Sequence, residues 1–170
     1  SALDLLARRK IDVVPVTSKT SAEVDRWMKL LLLNGPYVCE NGCGISIPEH
    51  YFQTIPEGAE LIDGQWRLHL GARIEKVRTG LETISRELGF DYRSFGQMEA
   101  DEITALTGLK GAEVDRCRQR EYDEAFVISS EHDTQKVSDA AAGLGLSFTR
   151  GGRFYHLAGG CNKGEAVRQL

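Results

Sequence analysis

Four polar stretches of this chain carry residue types that could bind and process a phosphate group. The first is "TSKT", residues 17–20, set directly after the apolar run "IDVVPV". Thr17 and Ser18 offer hydroxyls and Lys19 a mobile cation. A following helix would add free N–H groups and a positive dipole end, both suited to an anion. A strand-to-helix turn with a good cap and one solvated lysine accounts for the same residues without a ligand. The second stretch, "ENGCG" at 40–44, holds Asn41 in an Asn-Gly turn. It is an ordinary hairpin turn unless its strand lies beside the first. The third, "GGRFYHLAGGCNKG" at 151–164, places Arg153 and His156 among glycines and aromatics and Lys163 just before a helix. On an extended strand Arg153 and His156 would point to opposite faces. In the fourth, "RQREYDEAF" at 118–126, Arg120 could grip a carboxylate or phosphate with two donors. A solvated helix end with surface ion pairs is the plainer reading.

The elements that must position these groups follow from periodicity. Residues 2–9 read as the end of a helix already in progress, so the true N-terminus is expected to be missing. Residues 11–16 form a short strand, apolar on both faces as in a parallel sheet, with Pro15 interrupting its pairing. Thr20 and Glu23 make a capping box for a helix that runs to about residue 33. "YVCE" at 37–40 is a second strand, completing a strand-helix-strand unit. Residues 45–63, with Pro48 and Pro56, read as a hairpin or loop. "WRLHL" is a strand. Ile74, Val77, Leu81, Ile84 and Leu88 mark an amphipathic helix. A strand at "FDYRSF", two short helices near 99–107 and 112–120, a strand at "AFVIS", a helix at 134–142, and strands at "LSFTR" and "RFYHL" follow. A helix begins at Lys163. The pattern predicts an α/β fold: part of a parallel-sheet core at 1–66 and 157–170, with an inserted α+β domain at 67–156.

The 170 residues are 41% hydrophobic and 27% charged, with a net charge of -4. That composition supports a globular core and implies no general affinity for nucleic acid. The longest wholly apolar run, residues 30–33, is far too short to span a membrane. Cys39, Cys43, Cys117 and Cys161 are read as reduced thiols of a cytoplasmic protein. A zinc site is the lesser alternative, because metal-ligand spacing is absent.

Together, "VVPVTSKTSAEV", "ENGCGISIP", "TGLKGAEVDRCRQREYDEAF" and "GGRFYHLAGGCNKGEAV" resemble the mannosyl-3-phosphoglycerate phosphatases, a branch of the haloacid dehalogenase superfamily with the larger α/β type of cap. The likeness runs through nearly the whole chain. It implies a haloacid dehalogenase-like core with an inserted cap, and a phosphohydrolase acting through a phosphoaspartate with Mg²⁺. Thr17 matches the hydroxyl that bonds the transferring phosphoryl group, and Lys163 the lysine that stabilises nucleophile and phosphoryl oxygens. Ser18, Lys19 and Asn41 would line the cleft. Arg120, Arg153 and His156 would read the substrate's glycerate and sugar. The implied partner is a small phosphorylated sugar-glycerate, with no nucleic acid or membrane. The superfamily's first motif, Asp-x-Asp-Gly-Thr, and its fourth, Gly-Asp-x-x-Asn-Asp, are absent. The nucleophile, the acid/base and most Mg²⁺ ligands are therefore expected outside this chain, and the chain by itself is expected to be inactive. Two other readings stay open: a phosphatase for another sugar phosphate, such as glucosyl-3-phosphoglycerate, and a non-catalytic sugar-phosphate-binding module.

Overall fold

Thr20 starts the first element that matters for the site. Its Oγ1 accepts from the backbone N–H of Glu23 at 3.2 Å, while its own N–H donates to the Glu23 carboxylate at 3.0 Å. This reciprocal cap opens α2 (Ser21–Leu31), which follows α1 (Ala2–Arg8). The computed structural model describes residues 2–130 and 132–170.

The first sheet has the order β1 (Tyr37–Cys39), β2 (Gly44–Pro48), β4 (Gln65–His69), β3 (Glu60–Ile62), and every neighbouring pair is antiparallel. Strand alternation divides its side chains between two layers. Tyr37 and Cys39 meet Val24 and Met28 of α2 on one face. Val38, Ile45, Ile47 and Leu68 meet Ala166 of α7 (Lys163–Gln169) on the other.

The second sheet has the order β5 (Tyr92–Ser94), β6 (Asp123–Ile128), β8 (Tyr155–Ala158), β7 (Ser147–Arg150), again antiparallel throughout. One face is covered by α3 (Ile74–Leu88) and α6 (Thr134–Gly143). There Val77, Leu81, Ile84, Val137 and Ala141 enclose Phe126 and Leu157. The opposite face holds Ala125 against Phe95, Met98, Ile103 of α4 (Ala100–Thr107), and Val114 and Cys117 of α5 (Ala112–Arg118). Ala125 pairs with His156, and Asp123 with Ala158, so Asp123 and His156 share this second face with Ala125.

The α/β class is as expected, and the helices and the strands of the second sheet fall within a few residues of their predicted places. Three local expectations need correction. Residues 11–15 are not strand. Parallel pairing among the described residues is confined to Val16 and Val38, flanked by bonds from Val38 N–H to Pro15 O (2.8 Å) and from Thr17 N–H to Val38 O (3.0 Å). Residues 45–63 are neither a self-contained hairpin nor only loop, because β2 and β3 lie there and each pairs with β4 rather than with the other. The prolines permit this: Pro48 ends β2, and Pro56 falls between the strands. The thiols are not all free. Cys43 and Cys161, 118 residues apart, are joined with their Cα atoms 5.2 Å apart, inside the disulfide range. Cys39 and Cys117 are free and buried, and burial pushes the Cys117 thiol up to about 11.

Candidate functional site

Three loops of the first sheet's layer converge. The segment after Val16 is stitched to the 3₁₀ turn Glu40–Gly42, because Asn41 N–H donates to Thr17 O at 3.0 Å and Glu40 N–H to Lys19 O at 2.9 Å. Glu40, Asn41 and Gly42 all have positive φ (44°, 59° and 104°). At Gly42 the requirement is also steric. A Cβ there would stand 2.3 Å from the carbonyl carbon of Asn162 and 2.6 Å from the nitrogen of Lys163. The missing side chain lets the turn lie directly on the start of α7, where Asn162 Oδ1 caps Glu165 N–H at 2.9 Å. The Cys43–Cys161 link joins the same two segments. The chain regions of Thr17 and Lys163 are thereby brought to one place from opposite ends of the sequence.

The second sheet meets this cluster through a buried carboxylate that the sequence reading passed over. Asp123 Oδ1 accepts from Arg120 Nη1 at 2.6 Å and lies 2.8 Å from His156 Nδ1. Its Oδ2 accepts from Asn41 Nδ2 at 2.7 Å. Burial by itself would raise the Asp123 carboxyl, but the His156 and Asn41 bonds and the Arg120 charge outweigh it and hold the group below the usual carboxylate range. At the same contact Glu40, on the turn after β1, is also fully buried. Its carboxylate accepts backbone N–H bonds from Glu121 (3.0 Å), Tyr122 (2.8 Å) and Asp123 (2.9 Å). Burial still dominates over those donors and the Arg120 charge, and pushes Glu40 up to about 7. Arg120 stacks its guanidinium 5.5 Å over the Phe95 ring, and its Nε has no hydrogen-bond partner among the described residues.

Two adjoining cavities open on these groups. One, of about 360 Å³, is lined by Ser18, Lys19, Arg120, Arg153, His156 and the Phe95 ring. The other, of about 580 Å³, is lined by Ser18, Asn41, Arg150, His156, Asn162 and Lys163. Ser18, Gly151 and His156 border both, so the pair forms one cleft with a waist at Ser18 and His156. A larger cavity of about 650 Å³ lies between α2 and the first sheet, beside Asp25, Tyr37 and Arg67, and touches none of these residues.

Seven of the eight residues singled out from sequence therefore border the cleft: Ser18, Lys19, Asn41, Arg120, Arg153, His156 and Lys163. Thr17 does not line it, and its Oγ1 accepts from Lys19 N–H at 3.2 Å. Lys19 is engaged by Glu23 at 3.0 Å. Arg120 is not on a solvated helix end but is buried and paired with Asp123. Arg153 and His156 do not diverge as an extended strand requires. Residues 151–154 lie in the turn between β7 and β8, and both side chains reach the same cavity. The missed residues, Asp123 and Glu40, had one legible signal. In "REYDEAF" Asp123 stands two before Ala125, hence on the same strand face, but the sequence does not say that this face is enclosed. Among the described residues no group of three or more His, Cys, Asp or Glu side chains gathers as a metal site.

No family model matches the chain. Over 170 residues it is 35% identical to a glucosyl-3-phosphoglycerate/mannosyl-3-phosphoglycerate phosphatase of Methanococcoides burtonii, with 99% of this chain and 62% of that protein covered. It is 33% identical to a protein of the same name from Persephonella marina (98% and 61%). It is 30% identical to a mannosyl-3-phosphoglycerate phosphatase of Pyrococcus furiosus (97% and 66%). The chain thus spans 61% to 66% of the length of these curated relatives. Among solved structures it is similar to a Thermoplasma acidophilum protein, at TM-score 0.65 and 20% identity over 99% of this chain and 59% of that one. It is also similar to a haloacid dehalogenase-like hydrolase from B. subtilis, at TM-score 0.58 and 14% identity over 99% and 69%. The fold is therefore similar to the folds of these two solved proteins.

Proposed function

We propose, from the premise that this chain is a relative of the mannosyl-3-phosphoglycerate phosphatases, that it supplies the cap and part of the core of a phosphohydrolase for mannosyl-3-phosphoglycerate. The observation that carries the reading is the pair of adjoining cavities, one lined by Lys163 and Asn41, the other by Arg120 and Arg153, with Ser18 and His156 bordering both. The proposed division puts the core at 1–66 and 157–170 and the cap at 67–156. Strands β4 and β8 run across these bounds, and a bond from Ala72 N–H to Gly159 O (2.8 Å) ties the two crossing segments together.

In this reading the phosphoryl group sits in the 580 Å³ cavity of the cleft, where the Lys163 ammonium offsets its charge. Thr17 and Ser18 lie on the loop that approaches the transferring phosphoryl oxygens, and Asn41 borders the same space. The glycerate carboxylate and sugar hydroxyls extend into the smaller cavity, toward Lys19, Arg120, Arg153 and His156. The attacking aspartate, the acid/base and the Mg²⁺ ligands belong to motifs this sequence does not contain, so the chain alone is inactive. In the complete reaction an aspartate oxygen bonds phosphorus as the glycerate oxygen leaves with a proton. Water then cleaves the phosphoaspartate to release inorganic phosphate. The proposed setting is the cytoplasm.

The test is phosphate release from mannosyl- and glucosyl-3-phosphoglycerate with Mg²⁺ present, by this chain and by a longer chain carrying both aspartate motifs. No release from this chain and faster release from the mannosyl ester by the longer one is expected. Turnover by this chain alone overturns the division of labour. Preference for the glucosyl ester corrects the substrate, and tight binding without turnover by the longer chain favours a binding module.

A further inference from the structure

The cleft residues come from distant places, yet three of them end on one carboxylate. Asn41 belongs to the turn after β1, Arg120 to the segment before β6, and His156 to β8. Asp123 bonds all three, at 2.7, 2.6 and 2.8 Å, from a fully buried position. We propose that Asp123 is a positioning residue: it fixes the His156 ring so that Nε2 faces the cleft, and it holds Arg120 and Asn41 in register with that ring across the seam between the two sheets. This rests on the reading of the cleft as the phosphate-ester site.

The chemistry leaves little freedom. An ionised carboxylate only accepts hydrogen bonds, so the His156 nitrogen 2.8 Å away must carry the proton at Nδ1. Nε2 is then the nitrogen left for a ligand. It lies beside Gly151, where even an added Cβ would stand only 3.5 Å from it, so the glycine keeps that nitrogen uncovered. Arg120 spends Nη1 on Asp123, its residue lines the smaller of the two adjoining cavities, and its Nε is buried without a hydrogen-bond partner among the described residues. The same carboxylate reaches into the other sheet's layer through Asn41, whose turn rests on the start of α7 next to Lys163. The charged and titratable groups that bond His156 or line the two cavities with it are Arg120 before β6 and Asp123 on it, Lys19 on the loop before α2, Glu23 on α2, Cys117 on α5, Arg150 and Arg153 around the β7–β8 turn, and Lys163 on α7.

The test combines a tautomer measurement with binding of inorganic phosphate. Nitrogen-15 correlation spectra of the histidines, with His156 assigned by its loss in His156→Gln, report which ring nitrogen bears the proton. In the wild-type chain the neutral ring is expected to carry it at Nδ1. A wild-type ring protonated only at Nε2 overturns the proposal whatever the variants do. In Asp123→Asn, with folding checked by circular dichroism, a mixture of tautomers and at least tenfold weaker phosphate binding are expected. The direction discriminates. Deleting a negative charge beside an anion site should tighten binding by Coulomb attraction alone, whereas a lost support weakens it. Unchanged tautomer or tighter binding in Asp123→Asn overturns the positioning role. Absence of phosphate binding by the wild-type chain instead overturns the cleft reading, and the tautomer result then judges Asp123 separately.

Discussion

Phe126 and Leu61 are both apolar side chains on strands, yet Phe126 is sealed on every side while Leu61 is 47% exposed. The contrast holds for their sheets. The second sheet, with β5 to β8 between residues 92 and 158, is covered on one face by α3 and α6 and on the other by Phe95, α4 and α5. In the first sheet β3 is exposed at all three residues, and Ile11, Val14 and Val16, beside β1, keep a third or more of their surface in water. The second sheet thus draws its stability from apolar layers built by its own neighbours in sequence. The seam between the sheets is different again. Beside the small buried cluster of Cys43, Tyr122, Ala158 and Cys161, it carries two buried carboxyl groups, Glu40 on backbone N–H groups and Asp123 on three side chains. Such contacts are directional and costly to break, and they respond to pH as apolar layers do not.

Three experiments would sharpen or break this contrast. The largest effect is expected in the self-covered sheet: Phe126→Ala should lower the unfolding free energy by about 3–5 kcal/mol, read by denaturant titration. A loss under about 1 kcal/mol would show that the second sheet is not the stable unit.

At the seam, the effect should appear as pH dependence. Burial raises Glu40 to about 7 in the folded state, above its ordinary 4.5. The folded state therefore holds a proton that the unfolded state releases. Its contribution is fully present below about 4.5 and is lost as pH rises through 7, by roughly 3 kcal/mol. Denaturation midpoints of the wild-type chain and Glu40→Gln, measured from pH 4.5 to 8, should show this slope only in the wild type. Equal slopes would remove Glu40 as its source.

The smallest effect belongs to the open edge. Leu61→Ala on β3 should change stability by no more than about 0.5 kcal/mol by the same titration. A cost of several kcal/mol would mean that β3 is covered after all, and the asymmetry between the sheets would fall.

Local chemistry was enough to read much of this protein. The Thr20–Glu23 box, the helical spacing of Ile74, Val77, Leu81 and Ile84, and the strand at "AFVIS" depend on neighbours within a few residues, and all three stand in the structure. The residue types of the cleft were legible for the same reason, because Ser18, Lys19, Asn41, Arg120, Arg153, His156 and Lys163 are polar groups placed among glycines and strand ends. What the tertiary structure alone decided was pairing over distance. Parallel against antiparallel neighbours, the joining of Cys43 to Cys161, and the burial of Arg120 against Asp123 all turn on which segments meet. An acidic residue in "REYDE" looks the same in a sequence whether it faces water or three donors. Burial makes the difference, and burial is a property of the packed chain rather than of any window within it.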